Sequence, residues 1–200
     1  MMMGFNFFLL IILFVFPKVT PAQIILHSET FKNGNIKSIT YHQKNDSGIK
    51  KIKYEEYFEN GNKHIEGLYE NDKKNGIWEK WNFNGGKISK GSYNNGKKNG
   101  FWIGWYDNGQ KEGEVTWLNG KEDGLWILWH NNGQKMRELT WNNGERDGKC
   151  IEWYDNGQKK LEGHWVEGKK NGKWYYWYDS GKMIKDEIHE SGELKIEQWY

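Results

Sequence analysis

Residues 100–123 read GFWIGWYDNGQKEGEVTWLNGKED. The order is an aromatic run, an Asn-Gly turn, a second run closing on Trp117, and a Gly-Lys turn leading to the next glycine. Asn-Gly between β-forming residues is a strong short-range hairpin signal, and Trp, Tyr, Ile and Val favour strands over helices. A glycine every ten to twelve residues would break a helix. The stretch therefore predicts one β-hairpin.

The layout recurs every 24 residues in both directions. Gly61, Gly85, Gly109, Gly133, Gly157 and Gly181 keep that step, as do Gly76, Gly100, Gly124, Gly148 and Gly172. Three aromatic columns run between them. The first is Trp78, Trp102 and Trp126, then Cys150 in the slot, then Trp174. The second is Tyr57, Trp81, Trp105, Trp129, Trp153 and Trp177. The third is Tyr69, Tyr93, Trp117, Trp141 and Trp165, ending on His189. Twelve of the 13 Trp lie in these columns, so the rings belong to an architecture and not to one local site. Self-similarity at a fixed period is the mark of a repeat array whose end units are atypical.

The expected fold is all-β: an elongated, single-layer antiparallel meander of stacked 24-residue hairpins over residues 23–200, best developed over 52–195. About fifteen strands spaced ~4.8 Å apart would make a sheet roughly 70 Å long. Before Lys53 the copy is weaker. Gly34 and Gly61 are 27 residues apart, which predicts about three extra residues and an extended turn between His42 and Lys50. The last strand, from Leu194 to Tyr200, leaves the column spacing.

Face assignment stays open between two registers. A two-residue turn at Asn108-Gly109 sets Trp102 opposite Val115 and Gly100 opposite Trp117. A three-residue turn ending on a left-handed Gly109 sets Trp105 opposite Lys111. Either way each face receives an aromatic column, because Trp102 and Trp105 are three residues apart. Gly91 and Gly163 are expected to make room for neighbouring rings.

These residues resemble the MORN repeat family, in its bacterial variant form. The shared pattern is Gly-x-Trp-x-x-Trp-Tyr-Asp-Asn-Gly-Gln-Lys, then aromatic-x-x-Gly-Lys-x-x-Gly, best seen from Gly100 to Gly124. The stretch from Gly148 to Gly172 departs at Cys150. The resemblance implies a twisted, curved sheet of hairpins that is not an enzyme through its repeats. It further implies a protein-binding or membrane-associated scaffold, with a peptide or helix lying along one face. Bacterial variant members are also labelled antitoxin-like.

Residues 1–22 stand apart. Phe7–Phe16 is an unbroken apolar run of ten residues, too short for a membrane-spanning helix of ~20 and suited to a secretory signal peptide with Ala22 as its last residue. The expected location is periplasmic, outer-surface or extracellular.

Composition narrows function by exclusion. The chain has 200 residues, with 29 basic against 27 acidic side chains, and lacks the basic excess of a nucleic-acid binder. The single cysteine allows no intrachain disulfide. Mean hydropathy is −0.98, so the apolar payload rests on large rings. The six histidines have no metal-ligand spacing, the Asx-rich turns lack the ligand density of a calcium loop, and no nucleophile motif is present. No enzyme, metal or cofactor is expected.

Two candidate surfaces remain. One is the aromatic columns, namely Trp78, Trp81, Trp102, Trp105, Trp117, Trp126, Trp129, Trp141, Trp153, Trp165, Trp174 and Trp177. The other is a basic edge at the second turns: Lys73, Lys74, Lys97, Lys98, Lys121, Arg146, Lys169 and Lys170, with acids interleaved. The expected function is an exported, non-enzymatic scaffold that binds a protein or peptide along its sheet. An envelope protein associating with membrane or surface polysaccharide is the alternative, followed by an antitoxin-like neutraliser of a toxic partner. Flotation and glycan-array assays separate the first two. A toxin encoded nearby would mark the third.

Overall fold

The computed structural model describes residues 23–200. Residues 1–22, where a signal peptide is expected, lie outside the described residues.

The strands are β1 (Gln23–Thr30), β2 (Ile36–Asn45), β3 (Gly48–Tyr57), β4 (Lys63–Glu70), β5 (Lys73–Trp81) and β6 (Lys87–Asn94). There follow β7 (Lys97–Lys98), β8 (Gly100–Trp105), β9 (Lys111–Leu118), β10 (Lys121–Glu122), β11 (Gly124–Trp129) and β12 (Lys135–Asn142). The series ends with β13 (Glu145–Trp153), β14 (Lys159–Val166), β15 (Lys169–Trp177), β16 (Met183–Glu190) and β17 (Glu193–Trp199). All pairings are antiparallel between chain neighbours, and among the described residues β1 and β17 pair on one side only. The pairs β7–β8 and β10–β11 are each one strand interrupted, at Asn99 and Asp123, so the 17 stretches fill fifteen lateral positions. The described residues form one open sheet without helices.

The two turns of each repeat differ although both carry Asn-Gly. At Asn119-Gly120 both residues are left-handed, with φ of 52° and 87°, and Leu118 faces Lys121. That is the two-residue type I′ turn, whose twist matches the strands it joins. At the other turn only Gly109 is left-handed (φ 82°), and its N–H donates to the Tyr106 carbonyl at 2.9 Å. This is a three-residue turn with a glycine bulge.

Both registers left open by the sequence coexist. Trp105 faces Lys111, and one step on Gly104 faces Gly113, so Glu112 is an extra residue. This bulge restores the pairing of Trp102 with Val115 and of Gly100 with Trp117. A second irregularity follows each type I′ turn, where Gly100 takes φ 80°. There the Trp102 indole N–H donates to the Ser92 carbonyl at 3.0 Å; Trp78 does the same to Leu68, and Trp126 to Thr116. The last glycine of the Gly-Lys-x-x-Gly pattern thus lets the backbone bulge, and the indole bonds a carbonyl facing it.

A one-layer sheet needs cohesion along its length, and both rows of turns supply it. The Asn108 Oδ1 accepts the Gln110 N–H of its own loop (3.0 Å), while its Nδ2 donates to the Asn131 carbonyl of the next loop (2.7 Å). Asn132 and Asn156 repeat the arrangement. On the opposite edge the Gly120 N–H donates to the Lys98 carbonyl, and Gly96, Gly144, Gly168 and Gly192 repeat that link between neighbouring turns at 2.8–2.9 Å.

One expectation about the N-terminal copy is corrected. The extra residues between Gly34 and Gly61 do not extend a turn. Asn45 faces Gly48 across a two-residue loop, and the added length goes into β2 and β3, each ten residues long. Lengthening both arms keeps the ladder hydrogen bonds paired, which a longer loop would not do.

Candidate interaction surface

Strand alternation sorts the columns onto two faces. On the front face the first and third columns interdigitate. Ring centroids lie 5.3 Å apart for Tyr69–Trp78, 5.9 Å for Trp78–Tyr93 and 5.1 Å for Tyr93–Trp102. The series continues through Trp117–Trp126 (5.3 Å), Trp126–Trp141 (5.4 Å) and Trp165–Trp174 (5.1 Å). Most are edge-to-face or tilted, the geometry favoured by the ring quadrupoles. The rings fit because facing positions are small: a Cβ on Gly67, Gly91 or Gly163 would come within 2.0–2.2 Å of Trp78, Trp102 or Trp174. Trp126 has Val115 in that position and is less buried, whereas Trp174 is 1% exposed.

The eight basic residues of the second turns do not form a single row. Lys74, Lys98, Arg146 and Lys170 lie over the front-face rings, with Lys74 Nζ 3.9 Å from the Trp78 centroid. Two of them sit where ring-to-ring contact lapses. Lys98 lies 4.6 Å from Trp102 and 4.5 Å from Trp117; Arg146 lies 4.9 Å from Trp165 and 5.8 Å from Trp141, beside Cys150. Burial lowers the pKa of Lys74 and Lys98 below the ordinary lysine value. Lys73, Lys97, Lys121 and Lys169 are exposed, with their stems beside Gly96, Gly120, Gly144 and Gly192 of the following turns. Glu122 and Glu145 interrupt the two rows.

On the back face lie Tyr57, Trp81, Trp105, Trp129, Trp153 and Trp177, attended by a lysine column that composition alone does not reveal. Lys111, Lys135 and Lys159 each lie 5.7–5.9 Å from the next ring, namely Trp129, Trp153 and Trp177. The same lysines pair with Glu114, Glu138 and Glu162 three residues on. The signal was present in the sequence as a Lys-x-x-Glu recurring every 24 residues. Such half-exposed pairs are each worth about 0–1 kcal/mol. They neutralise the back face more than they hold it together.

Each face has a buried carboxylate near one end of the array, which the sequence reading missed. On the front face Glu187 stands in the slot that glycine fills elsewhere, beside Trp174. It accepts from Tyr176 (2.7 Å), contacts His189 Nε2 (2.9 Å), and pairs with Lys185 (2.7 Å) and Lys170 (3.3 Å). On the back face Glu55 accepts from Tyr41 and Tyr57 and pairs with Lys53 and Lys63. Burial alone would raise both carboxyls, but these donors and cations outweigh it and hold each at about 2.

Two of the hollows on the front face are large. One, of about 260 Å³, lies over Ser89, Gly104 and Gly113, small residues on three successive strands, with Trp102, Leu128 and Met136 among its walls. The other, of about 270 Å³, lies at Cys150, where the column lacks an indole. Among the described residues no cluster of His, Cys, Asp or Glu is arranged to hold a metal ion.

With this geometry in view, four segments match the family described as MORN repeat variant: residues 51–71, 122–143, 146–167 and 170–190. Each of these segments is similar to a MORN-variant repeat. Each match ends at or near a type I′ turn and contains the three-residue turn with its bulge. The two intervening MORN-like units, including most of the stretch from Gly100 to Asp123, are built with the same turns without being matched. No curated protein matches the chain. A crystal structure of a protein with unknown function from Bacteroides fragilis is similar at 13% identity over 90% of this chain and 94% of that one, with a TM-score of 0.18.

Proposed function

We propose that this MORN-repeat chain is an exported, non-enzymatic scaffold that binds a protein or peptide partner along the front face of its sheet. The observation that carries the reading is the front face itself. It is a floor of interlocked rings roofed by Lys74, Lys98, Arg146 and Lys170, with two large hollows and no covering layer among the described residues. Large rings with a polar rim suit protein recognition, where aromatic and arginine anchors supply most of the binding energy. The back face is a weaker candidate because its lysines and glutamates already satisfy one another.

Photo-cross-linking in fractions of the source cells tests the face. A photoreactive residue at Leu128, on the front, is expected to capture a discrete partner, while one at the exposed back-face Leu125 is not. Capture from Leu125 alone, or from neither position, overturns the reading. Export is checked by sequencing the mature N-terminus, expected at Gln23; an intact Met1 would refute it.

A further inference from the structure

The repeat is not uniform, and the place where it breaks has its own chemistry. In the first column Cys150 replaces an indole, and Leu139 beside it takes a position held by glycine in other units. The substitution conserves volume only in part, and the second hollow results. Three cations line it: Arg137, Arg146 and Lys170. Glu152, also in the wall, is engaged by Arg137, and Lys170 leans toward Glu187. Arg146 has no acidic partner among the described residues; it is exposed and rests on Trp165 and Trp141.

Hydrogen-bond donors also outnumber acceptors here. Arg137 Nε is buried without an acceptor. The Trp165 indole N–H has no oxygen partner and faces only the Cys150 sulfur, a weak acceptor. Burying a donor without a partner forfeits its hydrogen bonds to water, so a ligand that supplies oxygen acceptors relieves a cost the free protein carries. Arg146 offers a planar fork suited to a carboxylate, with an aromatic floor under it that orients the guanidinium.

We propose that the Cys150 hollow is a carboxylate-binding subsite that takes an Asp or Glu side chain of an acidic peptide lying on the front face, with Arg146 as its principal partner. This rests on the reading that a peptide occupies that face. It adds that one unit of the array, and not the summed charge of all of them, sets the preference for acid. Lys98 holds the equivalent position to Arg146 two repeats earlier, but the slot beside it is filled by the Trp102 indole.

The test uses the mature chain and two fluorescent peptides, Glu-Ala-Glu-Ala-Glu and Gln-Ala-Gln-Ala-Gln, read by anisotropy. The glutamate peptide is expected to bind at least about tenfold more tightly, as charge-paired contacts at interfaces do. Arg146→Gln is expected to remove that preference, while Lys98→Gln changes the affinity less than twofold. Cys150→Phe, which fills the hollow and leaves every charge in place, is expected to weaken binding as Arg146→Gln does; circular dichroism checks that it folds. Equal losses from Arg146→Gln and Lys98→Gln, or unchanged binding in Cys150→Phe, overturn the subsite. So does tighter binding of an oligogalacturonate, which would make the ligand a polysaccharide. If both peptides bind equally while Leu128 still cross-links its partner, the subsite falls and the scaffold reading stands.

Discussion

At the residue scale, the array depends on pairing one large ring with one missing side chain. Gly91 has ordinary backbone angles, so its role is purely steric: a Cβ there would sit 2.0 Å from the Trp102 ring. Gly91→Ala is therefore expected to destabilise by roughly 2–3 kcal/mol through overpacking, read as a lower urea midpoint with an unchanged slope. Gly109, by contrast, is needed for φ 82°, and a Cβ there would meet nothing. The two glycines look alike in the sequence. The spacing made the first role legible, since Gly91 and Gly163 fall between ring columns. Cys150 was legible only as a small filler, because the matching enlargement at Leu139 lies on the neighbouring strand and shows only once the register is known.

At the element scale, Asn at the three-residue turn does two jobs that Asp cannot share. Its oxygen closes its own loop and its amide reaches the next one. Asn108→Asp keeps the acceptor and loses the donor to Asn131, for an expected cost of about 1 kcal/mol in chemical denaturation. The cost should be smaller at Asn84, whose amide makes no such link among the described residues. The hairpins themselves, their period and their number were plain from the sequence, since Asn-Gly turns and alternating aromatics are local signals. What was not plain is which Asn-Gly makes which turn. Asn108 and Asn119 are followed by the same residue, and only ladder pairing on both sides distinguishes a left-handed asparagine from a right-handed one. The basic row was misleading for a related reason. Adjacent lysines in a strand point to opposite sides, so Lys97 and Lys98 cannot share one surface.

At the scale of the whole molecule, the sheet has no second layer among the described residues, and its two buried carboxylates, Glu55 and Glu187, lie near opposite ends. Both titrate at about 2 in the folded chain against an ordinary value of 4.5, so the folded state binds protons less readily than the unfolded one. Their contribution is fully present above about pH 4.5 and is lost as pH falls toward 2. Thermal midpoints are expected to drop across that window, and Glu187→Gln to flatten part of the drop; a midpoint indifferent to pH between 5 and 2 would refute the assignment. Fifteen lateral positions is an odd number, with a geometrical consequence for association. The first and last strands run the same way, although each repeat contributes two opposed strands. Copies stacked head to tail with one face kept throughout would have to join through a parallel seam, foreign to the rest of the ladder. An antiparallel seam between unlike ends would turn every second copy over, setting the ring floor level with the lysine–glutamate face. The seam that preserves both antiparallel sense and facing joins like ends about a twofold axis, β1 to β1 or β17 to β17. The parity of the strands thus bars simple head-to-tail growth: a fibre that kept its ladder antiparallel and its faces aligned would have to alternate two different like-end seams.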